Sequence, residues 1–559
     1  MAKGYRPVQR DQPFLLPPDM REWLPADHPV WLVIRAVDDH LGTSAFHAAR
    51  RTGGAGTAGY DPDMLVTLLM WAYANGVTSS RRIEAACWSD VCFRVICAGQ
   101  VPDHVTIARF RAAFPGAAES LFREVLVLCA KLGMGKLGTI ALDGTKVAAN
   151  ASKAANRTEA TLRKLAAEAA AEAAAAHAAA DAAEDELFGE GKRGDEVPPD
   201  AVNPATRAGR IAAALADLEA EREAAARERE KKAQAFWARQ QAGAGGGPPA
   251  QIAVQAARAK LERARAQRAA QIAELQARAA GPVAAGSRRD RPRAGIEDYC
   301  LVKAARIALE KAEARAAEAE RKAAARKDPG PVRNITDPDS RLMPARNGFI
   351  QGYNAQNVAS EDGLIIATEL TQDTNDTGWF EPMLGQAEDA AALITACQPL
   401  PAGAGQAAGE GSPDGEGSRI GLLLADAGYL SEDNLTAAGP DRLVATGKHR
   451  DLEKTARQAA AGDTASENAT DEEEAPIAAM AARLATEEGI TAYRRRGHIA
   501  ETPHGHIKHN MGIRRLATRG KPKASAEWRF TVTVHNLLKA ITTGHLTPAA
   551  LATLATLAT

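Results

Sequence analysis

The chain has 559 residues, a formal net charge of −1, and charged side chains at a quarter of its positions. That length allows several domains, while the balanced charge argues against a globally basic nucleic-acid binder and leaves only local charge to announce such a partner. The start is polar, no apolar run reaches membrane length, and the six cysteines (Cys87, Cys92, Cys97, Cys129, Cys300, Cys397) form no C-x-x-C pair; this predicts a cytoplasmic protein with neither a zinc ribbon nor a disulfide framework.

Residues 1–135 read as a compact helical domain. Pro17-Pro18-Asp19 predicts a helix start with Met20, Trp23 and Leu24, and Asp27-His28-Pro29 another with Trp31, Ile34 and Val37 at helical spacing. Tyr60-Asp61-Pro62-Asp63 opens a third, whose apolar face is Leu65, Leu68, Leu69 and Ala72. Ser79 to Glu84 begins a fourth by capping logic. Cys87, Cys92 and Cys97, five residues apart, suit packed thiols better than metal ligands. Val101 to Arg111 reads as a turn and a helix. It is either a recognition helix offering Thr106, Arg109 and Arg111 to DNA, or a surface helix with Ile107 and Phe110 turned inward.

The stretch Gly138 to Val147 contains a short apolar run, Thr139 to Leu142, that leads into Asp143 and Gly144. Such a run bounded by glycine predicts a buried strand, and a carboxylate where it emerges is well placed to hold a metal ion. Gly421 to Tyr429 repeats the arrangement around Asp426. An Asp that merely starts a turn or caps a helix is the plain alternative, and two matching sites weigh against it.

From about Ala151 to Lys327 the composition turns to Ala, Glu, Arg and Lys, which predicts roughly four long helices in a coiled-coil or bundle arm with a thin seam. The sheet pattern resumes after Asp337-Pro338-Asp339. Gly348 to Val358 and Leu364 to Leu370 predict a hairpin across Glu361-Asp362-Gly363, and Asn375-Asp376 a helix start with Phe380, Met383, Leu384 and Ala387 inside. A linker at about 399–417 leads to the Asp426 strand, and Arg442 to Thr446 predicts a last one. The pattern is that of a mixed α/β sheet, with the helical segment inserted after its first strand.

Residues 451–490 carry ten acidic side chains against three basic, and residues 491–530 ten basic against two acidic. The near-neutral total therefore hides a basic patch able to neutralise several phosphates. Glu501 stands inside that patch, with Thr502-Pro503 behind it marking a helix start. Beside Asp143 and Asp426 it would complete three carboxylates at a sheet rim, a set that can bind two divalent cations. His498, His504, His506 and His509 are spaced too irregularly for a zinc site, and phosphate-facing or surface histidines are the better reading.

Leu142-Asp143-Gly144-Thr145-Lys146, Gly352-Tyr353-Asn354-Ala355-Gln356, Ala425-Asp426-Ala427-Gly428-Tyr429, and Tyr493, Arg496, Glu501 and Lys508 in that order resemble the DDE transposases of bacterial insertion sequences. The group resembled has a tyrosine-arginine-glutamate-lysine signature around its last acid; Ser79 to Glu84, Pro102 to Arg111 and His535 to Lys539 add to the likeness. The resemblance implies a ribonuclease H-like α/β fold with an N-terminal all-α domain. It implies Asp143, Asp426 and Glu501 as catalytic ligands of two Mg²⁺ ions, with Mn²⁺ as substitute, and Tyr493, Arg496 and Lys508 on transposon-end DNA. Cleavage of those ends and strand transfer into target DNA, by a homodimer or larger assembly on the nucleoid, are the implied activity. One departure stands out: Arg496 and Glu501 have four residues between them where the commonest signature has three, which leaves Arg494, Arg495 and Arg496 all open for the arginine role. The rivals are a metal-dependent nuclease on the same fold without strand transfer, and a scaffolding protein built on the Ala-rich helices. The organisation expected is a DNA-binding domain at 1–135, catalytic parts at 136–152 and 331–545 with a disordered acidic loop at about 451–475, the insertion at 153–330, and a tail at 546–559.

Overall fold

The computed structural model describes residues 19–48, 59–113, 116–188, 207–242, 247–279, 295–325, 332–345, 348–399, 420–447 and 476–557. The acidic loop at 451–475 and nearly all of the linker at 399–417 lie outside the described residues. The chain forms two compact units, one of residues 1–156 with 333–559 and one of residues 157–332.

In the first unit the N-terminal segment is helical: α1 (Pro29–His40), α2 (Pro62–Ala74), α3 (Ser80–Ser89), α4 (Val91–Ile96), α5 (His104–Ala112) and α6 (Ala117–Lys131). Asp61, Asp90 and Asp103 cap the starts of α2, α4 and α5 through backbone N–H groups. Two expectations of this stretch fail locally. Asp19 hydrogen-bonds Arg21, so only the single turn Met20–Glu22 forms there, and the Ser79 side chain makes no capping bond. The Cys87 and Cys97 thiols pack 3.8 Å apart in the core.

The sheet is built around β1 (Thr139–Ala148). On one side β1 pairs antiparallel with β3 (Gly348–Ser360), whose far edge carries β2 (Arg341–Ala345) and then β4 (Ile365–Thr371), both antiparallel. On the other side β1 runs parallel to β5 (Leu422–Ala425), which runs parallel to β6 (Asp441–Val444). Leu142 stands opposite Ala425, so Asp143 and Asp426 follow at the same level: β5 ends there, while β1 runs on to Ala148 and keeps Asp143 in the sheet opposite Asn357. β3 approaches β1 so closely that a Cβ at Gly352 would run into the Val147 carbonyl oxygen.

Between β4 and β5 lies α11 (Phe380–Cys397); after β6 come α12 (Pro476–Ala485) and α13 (Glu487–Arg496). The helix does not begin at Thr502. It continues from α13 through wide turns at Gly497–Glu501 and His506–Asn510, with the ordinary turn Thr502–Gly505 between them. Pro503 offers no N–H and crowds the turn before it, and bonding from i to i+5 ahead of it opens the room it needs.

The helix α14 (Lys521–Thr542) is buried on nearly every side and packs on α6, β4 and α2. One hydrophobic cluster holds Val33, Leu69, Leu121, Ile140, Phe380 and Phe530, so the N-terminal helices and the sheet share a core. The polar residues that α14 buries in that core are matched, as burial requires. The Glu527 carboxylate accepts from the Tyr73 hydroxyl, the N–H groups of Ala517 and Thr518 and the Thr518 hydroxyl. Asn536 bonds both the N–H and the carbonyl of Ile365. His535 donates from Nε2 to the Gly363 carbonyl, and burial holds it neutral by lowering its pKa to about 3.

Among the described residues the second unit contains four α-helices, α7 (Glu159–Phe188), α8 (Arg207–Gln241), α9 (Ala253–Ala279) and α10 (Cys300–Ala325). The last two pack around Leu261, Ala264, Val302 and Ala305, and the ion pairs Arg258–Glu313 and Arg265–Glu297 show them to be antiparallel. These cores are thin and Ala-rich. The first unit closes on itself where the insertion departs, since the Asn334 amide bonds Ser152 O at 2.7 Å and Asn156 Oδ1 at 2.9 Å. Replacing residues 157–332 by a short Gly-Ser linker is therefore expected to leave a cooperative melting transition. A broad, non-cooperative melt of the shortened chain would show that the helical unit completes the core.

Candidate active site

The rim of β1 and β5 brings two carboxylates together. Arg496 Nη2 lies 2.8 Å from Asp143 Oδ1 and 3.5 Å from Asp426 Oδ2, so the two oxygens are no farther apart than those distances combined. Asp143 and Arg496 are 15% and 13% exposed, Asp426 40%. Of the three arginines the sequence leaves open, Arg496 is the one placed between the acids. Arg495 turns to Glu361 and Thr139.

Burial works against the Asp143 charge, but His504, with Nδ1 3.4 Å from Oδ2, and the Arg496 charge outweigh it and hold the pKa below the usual carboxylate value. Asp426 goes the other way. Burial raises its pKa, the Asp143 and Asp376 charges add to this, and Arg496 only partly offsets them. One cation thus serves two acids unequally, and the Asp143 carboxylate is the better stabilised. Burial disfavours the Arg496 charge too, but the interactions with Asp143, Tyr493 and Asp426 outweigh it and raise the pKa. Its Nε is buried without a partner.

Glu501 is exposed on the first wide turn, close enough to Arg496 for their charges to interact. It does not close a three-carboxylate cluster. Among the described residues, the set whose ligand atoms all lie within 4.8 Å is His47, Asp61 and the half-buried Asp63 in the N-terminal segment. The Arg496 guanidinium occupies the space between the rim acids instead. The donor chemistry suits a hard divalent cation all the same: oxygen ligands only, partly buried, with more negative charge than one guanidinium balances.

The other expected residues take distinct places. Lys508 donates from Nζ to Thr145 Oγ1 at 2.5 Å and to the Lys146 carbonyl at 2.9 Å, two and three residues beyond Asp143 on β1; burial lowers its pKa. Tyr493 is 4% exposed in a second apolar cluster with Leu443, Met480 and Ile499, within the core rather than on the surface. Arg109 is exposed on α5. Arg111 bonds the Thr78 carbonyl, Ser80 Oγ and Tyr73 Oη, tying α5 to α2 and to the start of α3.

Sequence reasoning missed three participants. The helical stretch does start after Asp376 as expected, but the Asp376 side chain makes no cap and instead accepts from Asn354 Nδ2 at 2.5 Å and Gln356 Nε2 at 2.6 Å, with Lys146 3.7 Å away. The Tyr429 hydroxyl donates to Gln356 Oε1, which links the Gly352 to Gln356 and Ala425 to Tyr429 motifs physically. Gly144 is required here, since a Cβ would lie 2.8 Å from Asp376 Oδ1 and 2.9 Å from Gln356 Nε2. His504 and Asn357 are the others. The expected surface or phosphate-facing role for His504 is corrected: it is 8% exposed, with Nδ1 3.4 Å from Asp143 Oδ2. His506 pairs with His535 and His509 with Arg514, so the histidines do not converge on a metal.

Two family models match parts of the chain, and the second supports an enzyme acting on DNA. A family described as a transposase domain (DUF772) matches residues 18–113, and one described as a transposase DDE domain matches residues 456–541. The two matches support an insertion-sequence DDE transposase. Neither a curated protein nor a solved structure matches it. The family implies DNA substrates and divalent metal use. Among the described residues, no helix is long and apolar enough to cross a membrane.

Proposed function

We propose that the Asp143–Asp426 rim is the centre of a two-metal-ion transposase that cleaves the ends of its element and joins them to target DNA. The observation that carries this is the register of β1 and β5, which sets the two carboxylates level at one rim with the helix bearing Glu501 beside them. The strand order, three antiparallel strands followed by two parallel to β1, supports a ribonuclease H-like assignment. Asp143, Asp426 and Glu501 would hold Mg²⁺ or Mn²⁺, which when bound supplies Lewis-acid activation of a water or 3′-hydroxyl and stabilises the leaving oxygen.

The chain's own residues do the rest. Asp143 is kept ionised by His504 and Arg496, ready to act as a ligand. Arg496 holds the acids together in the free protein and turns to a DNA phosphate when they take up cations. The tyrosine-arginine-glutamate-lysine signature gains support from the wide turn Gly497–Glu501. Bonding from i to i+5 sets Arg496 and Glu501 one turn apart, as three intervening residues do in an ordinary helix, so the additional residue is absorbed. Lys508, Arg109 and the cations from Arg494 to Lys523 are assigned to DNA phosphates, on a dimer or larger assembly.

The direct test is cleavage of duplexes carrying the element's terminal repeats, with Mg²⁺ or Mn²⁺ and with a chelator. Nicking at the repeat ends that requires the metal is expected, followed by joining to a target plasmid. Nicking without joining would favour a nuclease on the same fold.

A further inference from the structure

Across the sheet, Asp143 stands directly opposite Asn357, and Asn357 directly opposite Thr368. Two side chains from other elements complete this row: His504 beside Asp143 and Asn357, and Trp528 of α14 beside Thr368. Asn357, Thr368, His504 and Trp528 are all buried.

The direction of every hydrogen bond in the row follows from one group. An indole N–H can only donate. Trp528 Nε1 is 3.0 Å from Thr368 Oγ1 and 3.4 Å from Asn357 Oδ1, so both oxygens face it as acceptors. The Thr368 hydroxyl, having accepted, donates its one proton to Asn357 Oδ1 at 2.6 Å. With its oxygen thus fixed, Asn357 must present Nδ2 to His504, 2.9 Å from Nε2. His504 Nε2 therefore accepts, and the ring proton sits on Nδ1, facing Asp143 Oδ2.

We propose that His504 is a positioning residue for Asp143. The relay Trp528–Thr368–Asn357–His504 fixes its tautomer so that Nδ1–H holds Oδ2 and leaves Oδ1 free to serve as a metal ligand once Arg496 moves. This rests on the active-site reading above. A carboxylate with one oxygen tied is oriented before any cation arrives, and losing such a supporting partner costs about 10- to 100-fold in metal affinity.

The test uses the full chain and Mn²⁺ itself, with binding followed by electron paramagnetic resonance and without DNA. His504→Asn puts an amide N–H where Nδ1 stands, whereas His504→Gln places its amide at the Nε2 position. Thr368→Val removes the hydroxyl and keeps the shape. The expected result is Mn²⁺ affinity reduced about tenfold in His504→Gln, near wild type in His504→Asn, and reduced to a smaller degree in Thr368→Val. A His504→Gln chain that melts like wild type and binds Mn²⁺ equally well overturns the proposal, as does a His504→Asn chain no better than His504→Gln. Should the His504 variants fail to fold, Thr368→Val decides alone: unchanged affinity sinks the relay. A wild-type chain that binds no Mn²⁺ would overturn the active-site reading and this proposal with it, which sets that failure apart from a failure of the relay.

Discussion

Asp143→Ala, Asp426→Ala and Glu501→Ala are each expected to abolish end cleavage while leaving the protein on its DNA. Each removes an oxygen donor from the site proposed to bind the metals, and losing such an electrostatic contribution to a transition state costs about two to three orders of magnitude in rate. Affinity for end DNA should hold or rise, because a negative charge facing phosphates is gone. Neutralising Lys508 should act in the opposite sense, weakening binding and flattening its salt dependence by about one unit of slope for each phosphate it no longer neutralises. Folding must be checked by melting, most of all for Asp143→Ala, which leaves the buried Arg496 with Asp426 alone. Asp143→Asn keeps the shape and separates loss of charge from loss of packing. The three acids do not stand alike. Asp143 and Asp426 are fixed by adjoining strands, whereas Glu501 is exposed on a helical turn. Cleavage at the wild-type rate by Glu501→Ala would therefore move the third ligand elsewhere, and Asp376, beside Asp426, is the carboxylate the structure offers next.

The two rim acids were legible in the sequence because their signal is local. An apolar run, then Asp, then a small residue or glycine, marks a buried strand and the carboxylate that follows its apolar stretch, although only β5 ends there and β1 runs on to Ala148. The hairpin of β3 and β4 was legible for the same reason, from its alternation and its Glu361-Asp362-Gly363 turn. The remainder of the site depends on register and packing, which no local pattern carries. Asn357 faces Asp143 only because β3 pairs with β1 in one register, and Asp376 reaches the site through Asn354 and Gln356 rather than capping its helix. His504 read as a surface residue because its neighbours are polar and charged. Its burial comes from a helix that runs on through Pro503, where a proline ordinarily marks a start. The same wide turn explains why the spacing of Arg496 and Glu501 looked irregular: spacing was judged against an α-helix, and the backbone there is wider.

Arg496→Met is expected to make the stability of this protein depend on divalent metal. In the wild type one guanidinium sits within 3.5 Å of both rim carboxylates and offsets their mutual repulsion. Methionine fills much of the same volume and supplies no charge, so Asp143 and Asp426 are left facing each other with Asp376 nearby. Breaking a buried ion pair by removing one partner costs about 3–5 kcal/mol, and the low end is expected here because Asp426 is 40% exposed and His504 still serves Asp143. In a chelator the variant should therefore melt well below the wild type. Mg²⁺ should then recover much of the loss, since a cation taking the place of the guanidinium meets no competitor and binds the folded state alone. For the wild type the gain from Mg²⁺ should be smaller, because each ion must first displace Arg496. The measurement is a pair of melting curves across a Mg²⁺ titration. Equal gains in the two proteins would mean that Arg496 and the metals do not compete for the same carboxylates. An unchanged melt in chelator would mean that the arginine contributes nothing to holding the rim together.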